Sequence, residues 1–398
     1  MRVHPAPPVA ALAARCRSRG APLAHPDGAT AQRDFRYGLN GHGTGPQVNF
    51  IRASTAWASV DGTNVLVEAA LNAARTHSDH GLLVEPTVTN KCANFNANPD
   101  AGLTNLTRAG DAAATLARTP DATRLGSAGL AGICASGYVF RLDNTAGTGE
   151  AWVTVAGATG NTTDHTVSAY VRGSGNVSVE LSGAAGAAVA LSGEYVRRSA
   201  TLTPATAADT FKLRVSAGSV CYFVLNQCEA HAAATSPIVT AGSATLRYAD
   251  YATASRAGVI ADEGTVVMEL TPGATGIDLG RPFGTYPTGG SSGVYLAVSG
   301  TTVTLQGWEA GALQFNLSMA GVGGGPNRVA MAWRPGHAQG ALNGTVSATD
   351  SAVLDMDHRA AFAIGTRGDA SFPFFGWIRA FAIYPRALES IELAGVTA

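Results

Sequence analysis

The chain has 398 residues, 27 basic and 28 acidic, so its net charge is −1 and no long-range field draws it to nucleic acid or to an anionic membrane. Only 14% of residues are charged, against about 25% in an average soluble domain, while 48 glycines and 18 prolines supply turns. That balance excludes a charge-rich helical bundle, and the length, at roughly 150 residues per domain, excludes a small stapled scaffold.

Residues 1–48 are rich in Pro, Gly, Ala and Arg and follow neither the two-residue nor the 3.6-residue apolar period, so they read as an irregular arm. The Ala-rich stretch 9–14 is too short and too weakly apolar for an export signal, and no window reaches the roughly 18 apolar residues that span a bilayer. From 49 to 89 short β-like pieces, with a turn at Asp61-Gly62, read as a compact connector.

From 90 to 244 alternation sets in. Val177, Val179 and Leu181 alternate with Asn176, Ser178 and Glu180, and Phe211, Leu213 and Val215 alternate with Lys212 and Arg214. Such runs put one face on a core and the other in water. From 245 to 398 the pattern returns with Val303 and Leu305, then Leu313, Phe315 and Leu317 around Gln314 and Asn316, then Val329, Met331 and Trp333. Leu388, Ile391 and Leu393 near the end have the spacing of one short helical turn. The predicted fold class is all-β: two consecutive β-sandwich (jelly-roll) domains preceded by an irregular N-terminal arm and a short β connector.

Five cysteines (Cys16, Cys92, Cys134, Cys221, Cys228) are an odd and sparse set, which reads as free thiols. Cys221 and Cys228 would stand roughly 23 Å apart on a straight strand at ~3.3 Å per residue, so pairing them needs a sharp reversal.

The stretches 49–67 (NFIRASTAWASVDGTNVLV), 75–90 (RTHSDHGLLVEPTVTN) and 226–253 (NQCEAHAAATSPIVTAGSATLRYADYAT) resemble fibre and head-spike proteins of bacteriophages and gene transfer agents. There, a GLLVEP-type connector leads into a jelly roll like that of carbohydrate-binding modules. The closing text is matched at Gln227, Glu229, Ser236, Ile238, Thr240, Arg247, Ala249 and Asp250. Residues 255–398 resemble concanavalin-like, laminin-G-type domains through Ile364-Gly365, FFGWI at 374–378 and IYPRAL at 383–388. Their Asp-Gly hairpin tip is here Asn343-Gly344, which keeps type I′ turn chemistry and drops a carboxylate.

These resemblances imply a virion surface protein, held to other virion proteins by the 1–48 arm. It would bind host capsule polysaccharide for attachment, as a homo-oligomer made in the bacterial cytoplasm and released by lysis. They imply no enzyme, no nucleic-acid partner, no membrane insertion, and no cofactor beyond a structural calcium ion. A decoration or adaptor protein without sugar binding stays open. A polysaccharide-degrading enzyme ranks last, since the glutamates are scattered without a motif and GGSSG at 289–293 lacks the strand-to-helix setting of a nucleophile elbow.

Sugar recognition needs an aromatic ring to stack on a pyranose and amides or hydroxyls beside it. Trp308 falls with Thr302, Thr304 and Gln306, opposite Val303 and Leu305, unless a bulge at Gly307 reverses the parity. Trp152 falls with Thr154, opposite Val153 and Val155. Tyr286 and Tyr295 flank the 289–293 loop as rim candidates, whereas Trp333 and Trp377 read as structural. Asp350, Asp355 and Asp357 are the candidate calcium ligands. His77, Asp79 and His80 suit zinc by type, but on an extended segment His80 points away from the other two.

Overall fold

Alternation resolves into paired antiparallel sheets in a computed structural model that describes residues 29, 31–35, 40, 43–59, 65–77, 79–255, 263–273, 280–287, 293–351, 359–367 and 372–398. The chain is all-β with two short helices among these residues, in two units: Ala53–Leu71 with Thr87–Tyr248, and Met1–Arg52 with Asn72–Pro86 and Ala249–Ala398. Among the described residues no helix is long and apolar enough to cross a membrane.

The unit containing Thr87–Tyr248 has two five-stranded sheets. One is ordered Val189–Ala190, Asn176–Leu181, Thr210–Val215, Ala151–Ala158, Leu106–Gly110; the other Thr115–Pro120, Tyr138–Asp143, Val220–Glu229, His165–Ser174, Val196–Leu202. Val153, Val177, Leu181, Phe211 and Leu213 from the first share one buried cluster with Phe140, Leu142, Val167 and Phe223 from the second. Each such side chain contributes about 1.5–3 kcal/mol on burial. A second cluster joins Val224 and Leu225 to Leu125 of the helix Ala122–Ser127 and to Leu66 of the hairpin Ala56–Ser59/Leu66–Ala69.

The other unit packs a nine-stranded sheet and a seven-stranded sheet around Phe50, Leu82, Met268, Phe283, Leu305, Trp333, Phe362 and Phe381. The segment 49–89 is divided between the units, because its short strands find ladders far away in the chain: Asn49–Ile51 on Tyr251–Ser255, Gly81–Val84 on Gly376–Tyr384, and Val88–Asn90 on Thr245–Arg247. Part of the 1–48 stretch, read as irregular, is also strand. Ala31–Asp34 joins the edge of Gly376–Tyr384, and Arg33 donates to the carbonyls of Gly45 and Pro46 at 2.9 and 3.0 Å. Four residues are too few to display a period.

The C-terminal element is a full helix, Ser390–Thr397, started by a reciprocal capping box between Glu389 and Glu392 and seated through Leu393 and Val396 on Val267, Ala330 and Ala382. Asn343 and Gly344, with φ of 49° and 83°, form the two-residue tip between Leu342 and Thr345, as type I′ chemistry requires. Cys92, Cys134, Cys221 and Cys228 are buried free thiols, and Cys16 lies outside the described residues.

Candidate functional site

Trp308 sits on the strand Thr302–Glu309, between Gly293–Ser299 and the edge strand Ala312–Ala320. A register shift does occur beside Gly307, but it lies in the partner strand, so the parity of Thr302–Glu309 survives. Val303, Leu305 and Gly307 are buried, while Thr304, Gln306 and Trp308 are half-buried on the opposite face. Across the edge, Thr304 pairs with Ser318, Gln306 with Asn316 and Trp308 with Leu313. Gln306 Nε2 donates to Asn316 Oδ1 at 3.4 Å. The shift turns Leu313 outward at 45% exposure, correcting its reading as core. An indole, two amides and two hydroxyls therefore share one sheet face.

Tyr295 pairs with Gln306 in the same row but is only 3% exposed. Gly284 lies opposite it, where a Cβ would come within 2.9 Å of the ring, and the Arg281 guanidinium covers the ring at 4.5 Å. It braces the face and offers no free ring as rim. Tyr286 pairs with Ala361 through its backbone, and its side chain lies outside the described residues.

Trp152 also faces outward, half-buried, on the strand Ala151–Ala158. Its surroundings are charged: Lys212 Nζ and the Arg214 guanidinium stand 5.7 and 6.0 Å from the ring. Both cations reach Glu180, at 2.8 and 3.1 Å, and Arg214 also reaches Glu150 at 2.7 Å. Burial pulls the Arg214 pKa down, but Glu150 and Glu180 outweigh it and raise it. Glu180 is 2% exposed although it points away from the core, because Lys212 and Arg214 close over it. The Trp152 ring completes this ion-paired layer.

Of the three calcium candidates only Asp350 is among the described residues. Asp350 is held through its backbone in a two-way bridge to Ala338 at 2.7 and 2.8 Å, and Asp355 and Asp357 lie outside the described residues. His77 and His80 are brought together, contrary to the extended reading, because a turn at 79–80 reverses the chain and pairs His77 with Gly81. Their rings are 4.7 Å apart and both pack on Trp377, at 5.8 and 5.3 Å. Among the described residues no group of three His, Cys, Asp or Glu side chains stands together as a metal site. The loop 289–293 lies outside the described residues except for Gly293.

The residues that carry the fibre-like resemblance are spent on the fold. Gln227 Nε2 donates to Glu229 Oε1 at 2.9 Å while Gln227 Oε1 accepts from Ile238 N at 2.8 Å. Thr235 donates through N and Oγ1 to the Glu229 carboxylate at 2.8 and 2.7 Å. Thr240 Oγ1 donates to Asn94 O at 2.7 Å, and Asn90 and Asn96 both donate to Asn226 O and Ile238 O. These side chains satisfy irregular buried backbone that has no ladder partner.

Sequence reasoning passed over Trp57. It pairs across its hairpin with Glu68 and lines a cleft of about 480 Å³, lying wholly within the unit that contains Thr87–Tyr248. The other walls come from around 98, 132 and 246, so no local pattern marks it; its available signal was a Trp beside a predicted turn.

Fold and faces thus define a two-unit β-sandwich protein with an aromatic, amide-lined sheet face. No protein-family model and no curated protein matches the chain. Among solved structures, the CBM40 module of Ruminococcus gnavus IT-sialidase, bound to α2,3-sialyllactose, is 19% identical, over 34% of this chain and 82% of that one, with a TM-score of 0.31. The NanB sialidase of Streptococcus pneumoniae is 13% identical over 33% of this chain and 23% of its own (TM-score 0.29). The receptor-binding domain of botulinum neurotoxin type G is 13% identical over 36% and 38% (TM-score 0.31).

Proposed function

We propose that the protein is a virion surface fibre or head spike that binds host cell-surface polysaccharide through the Trp308 face, without breaking bonds in it. The observation that carries this reading is the retention of Trp308 on the outer face, in line with Gln306, Asn316, Thr304 and Ser318. An indole stacks on the C–H face of a pyranose while fixed amides and hydroxyls bond its ring oxygens. The fibre-like text at 49–67, 75–90 and 226–253 supports the virion setting, with residues 1–48 as the attachment arm. Binding is weak per site and is made effective by a homo-oligomer, whose later contacts form at mM-scale effective concentration.

The test is adsorption of the purified chain and of Trp308→Ala to encapsulated and capsule-free host cells. Capsule-dependent binding that falls with Trp308→Ala is expected. A folded, oligomeric sample that ignores the capsule would overturn the reading and favour an adaptor, a role consistent with motif residues spent on the fold.

A further inference from the structure

We infer that the cleft beside Trp57 is a second sugar site, taking one or two hydroxylated pyranose rings, in a different unit from the Trp308 face and independent of it. Its volume of about 480 Å³ lies within the roughly 300–1,000 Å³ of small-ligand sites. The floor is a paired hairpin: Trp57 and Glu68 are directly opposite across it, and Trp57 packs on the Leu66, Leu125 and Ile133 cluster. The walls combine opposite chemistries.

Glu68 is exposed and accepts hydrogen bonds only, when ionised. Asn98 is half-buried, and its Oδ1 already accepts from Ser136 N at 2.8 Å, which turns its Nδ2 to serve as the donor. Arg247, 1% exposed, lines the same cleft and is anchored by donation to Ser236 Oγ at 2.6 Å. Leu246, beside it, presents an exposed apolar wall. An indole face, an apolar wall, a carboxylate acceptor and an amide donor match a ring with C–H faces and a hydroxyl rim. Glu68 and Arg247 put both signs of charge on the walls, which suits a neutral hydroxylated ring, and a purely apolar ligand would strip water from Glu68 and Asn98 without replacing it.

Saturation-transfer NMR and calorimetry on the full chain, with the methyl glycosides of glucose, galactose, rhamnose and N-acetylglucosamine, test the inference in four proteins. These are the natural sequence, Glu68→Gln, Gly132→Leu and Trp308→Ala. Gly132 lines the cleft, and its Cβ would stand 3.3 Å from Leu66 O and 3.9 Å from Trp57 Cζ3, so a leucine there crowds the indole. Binding of at least one glycoside is expected, weakened roughly ten-fold by Glu68→Gln, lost in Gly132→Leu and unchanged in Trp308→Ala. Binding by none of the four glycosides, or unchanged binding in folded Glu68→Gln and Gly132→Leu, overturns the inference. Loss in Trp308→Ala alone assigns the signal to the other face and overturns this inference while keeping the reading above. Glycoside binding that needs Glu68, with no capsule adsorption, does the reverse.

Discussion

Arg52 and Asp250, 198 residues apart in the chain, meet as a fully buried ion pair with Nη1 and Oδ1 3.2 Å apart. The other Asp250 oxygen bonds Arg75 and accepts from Glu85 N at 3.1 Å, and Arg75 also bonds Glu85 at 2.6 Å. Burial pulls the Arg75 pKa down, but the Glu85 and Asp250 carboxylates outweigh it and raise it. Two guanidiniums and two carboxylates cancel inside one unit, and all four lie within the stretches that carry the fibre-like resemblance. In this chain the cluster ties 49–52, 72–86 and the start of the C-terminal segment together.

Removing the Asp250 carboxylate takes a buried charge partner from both Arg52 and Arg75, and breaking a buried pair on one side is the costly case. Asp250→Asn is expected to destabilise the protein by about 3–5 kcal/mol in denaturant unfolding. A loss below about 1 kcal/mol, the scale of a surface pair, would show that the charges are not held as described.

Much of this was legible in the sequence. Val177, Val179, Leu181, Phe211, Leu213 and Val215 declare a sheet face by period, and the side of the strand on which Trp308 stands follows from the same parity. What escaped depends on partners distant in sequence. Glu180 and Lys212 read as solvated yet are buried, because an ion-paired layer covers them. His77 and His80 read as diverging until a turn reverses the strand. The strands of 49–89 carry no mark of which unit they join, and Trp57 becomes a site residue only beside Asn98 and Arg247.

Thiol chemistry offers a direct check on the core. Burial pushes the Cys134 thiol up to about 12; burial, then the neighbouring Glu229, raises Cys228 to about 12 as well. Burial also drives Cys92 and Cys221 upward. Only thiolate reacts with a disulfide reagent, so at pH 8 these four thiols should be silent in the folded chain. In a Cys16→Ser background, Ellman's reagent is expected to find no thiol before denaturant and all four afterwards. Rapid labelling of any one in the folded protein would contradict this packing.

The His77, His80 and Trp377 cluster gives a pH signature. His80 stays exposed, but partial desolvation first, then the proximity of His77, lowers its pKa from 6.5, with Asp79 opposing. Folding therefore favours neutral His80. Its contribution to stability is complete above the unfolded value near 6.5 and is lost as pH falls through the lower folded value. An NMR titration should place the His80 midpoint below 6.5, rising when His77→Gln removes the neighbouring imidazole. A midpoint at or above 6.5 in the natural chain would refute the packing of these rings.

The two outward tryptophans should separate cleanly. Trp152 lies over Lys212 and Arg214, both committed to Glu180, so its removal uncovers a charged layer that excludes water. Trp152→Ala is expected to lower stability by about 1–3 kcal/mol, part of the cost of deleting a fully buried Trp, while capsule adsorption per folded molecule stays unchanged. Trp308→Ala should do the opposite, since its neighbours Gln306, Asn316, Thr304 and Ser318 carry no charge that its ring must shield. Thermal melts and adsorption run on both variants decide the matter. Lost adsorption with an unchanged midpoint in Trp152→Ala would move the sugar platform to the charged face of the other unit.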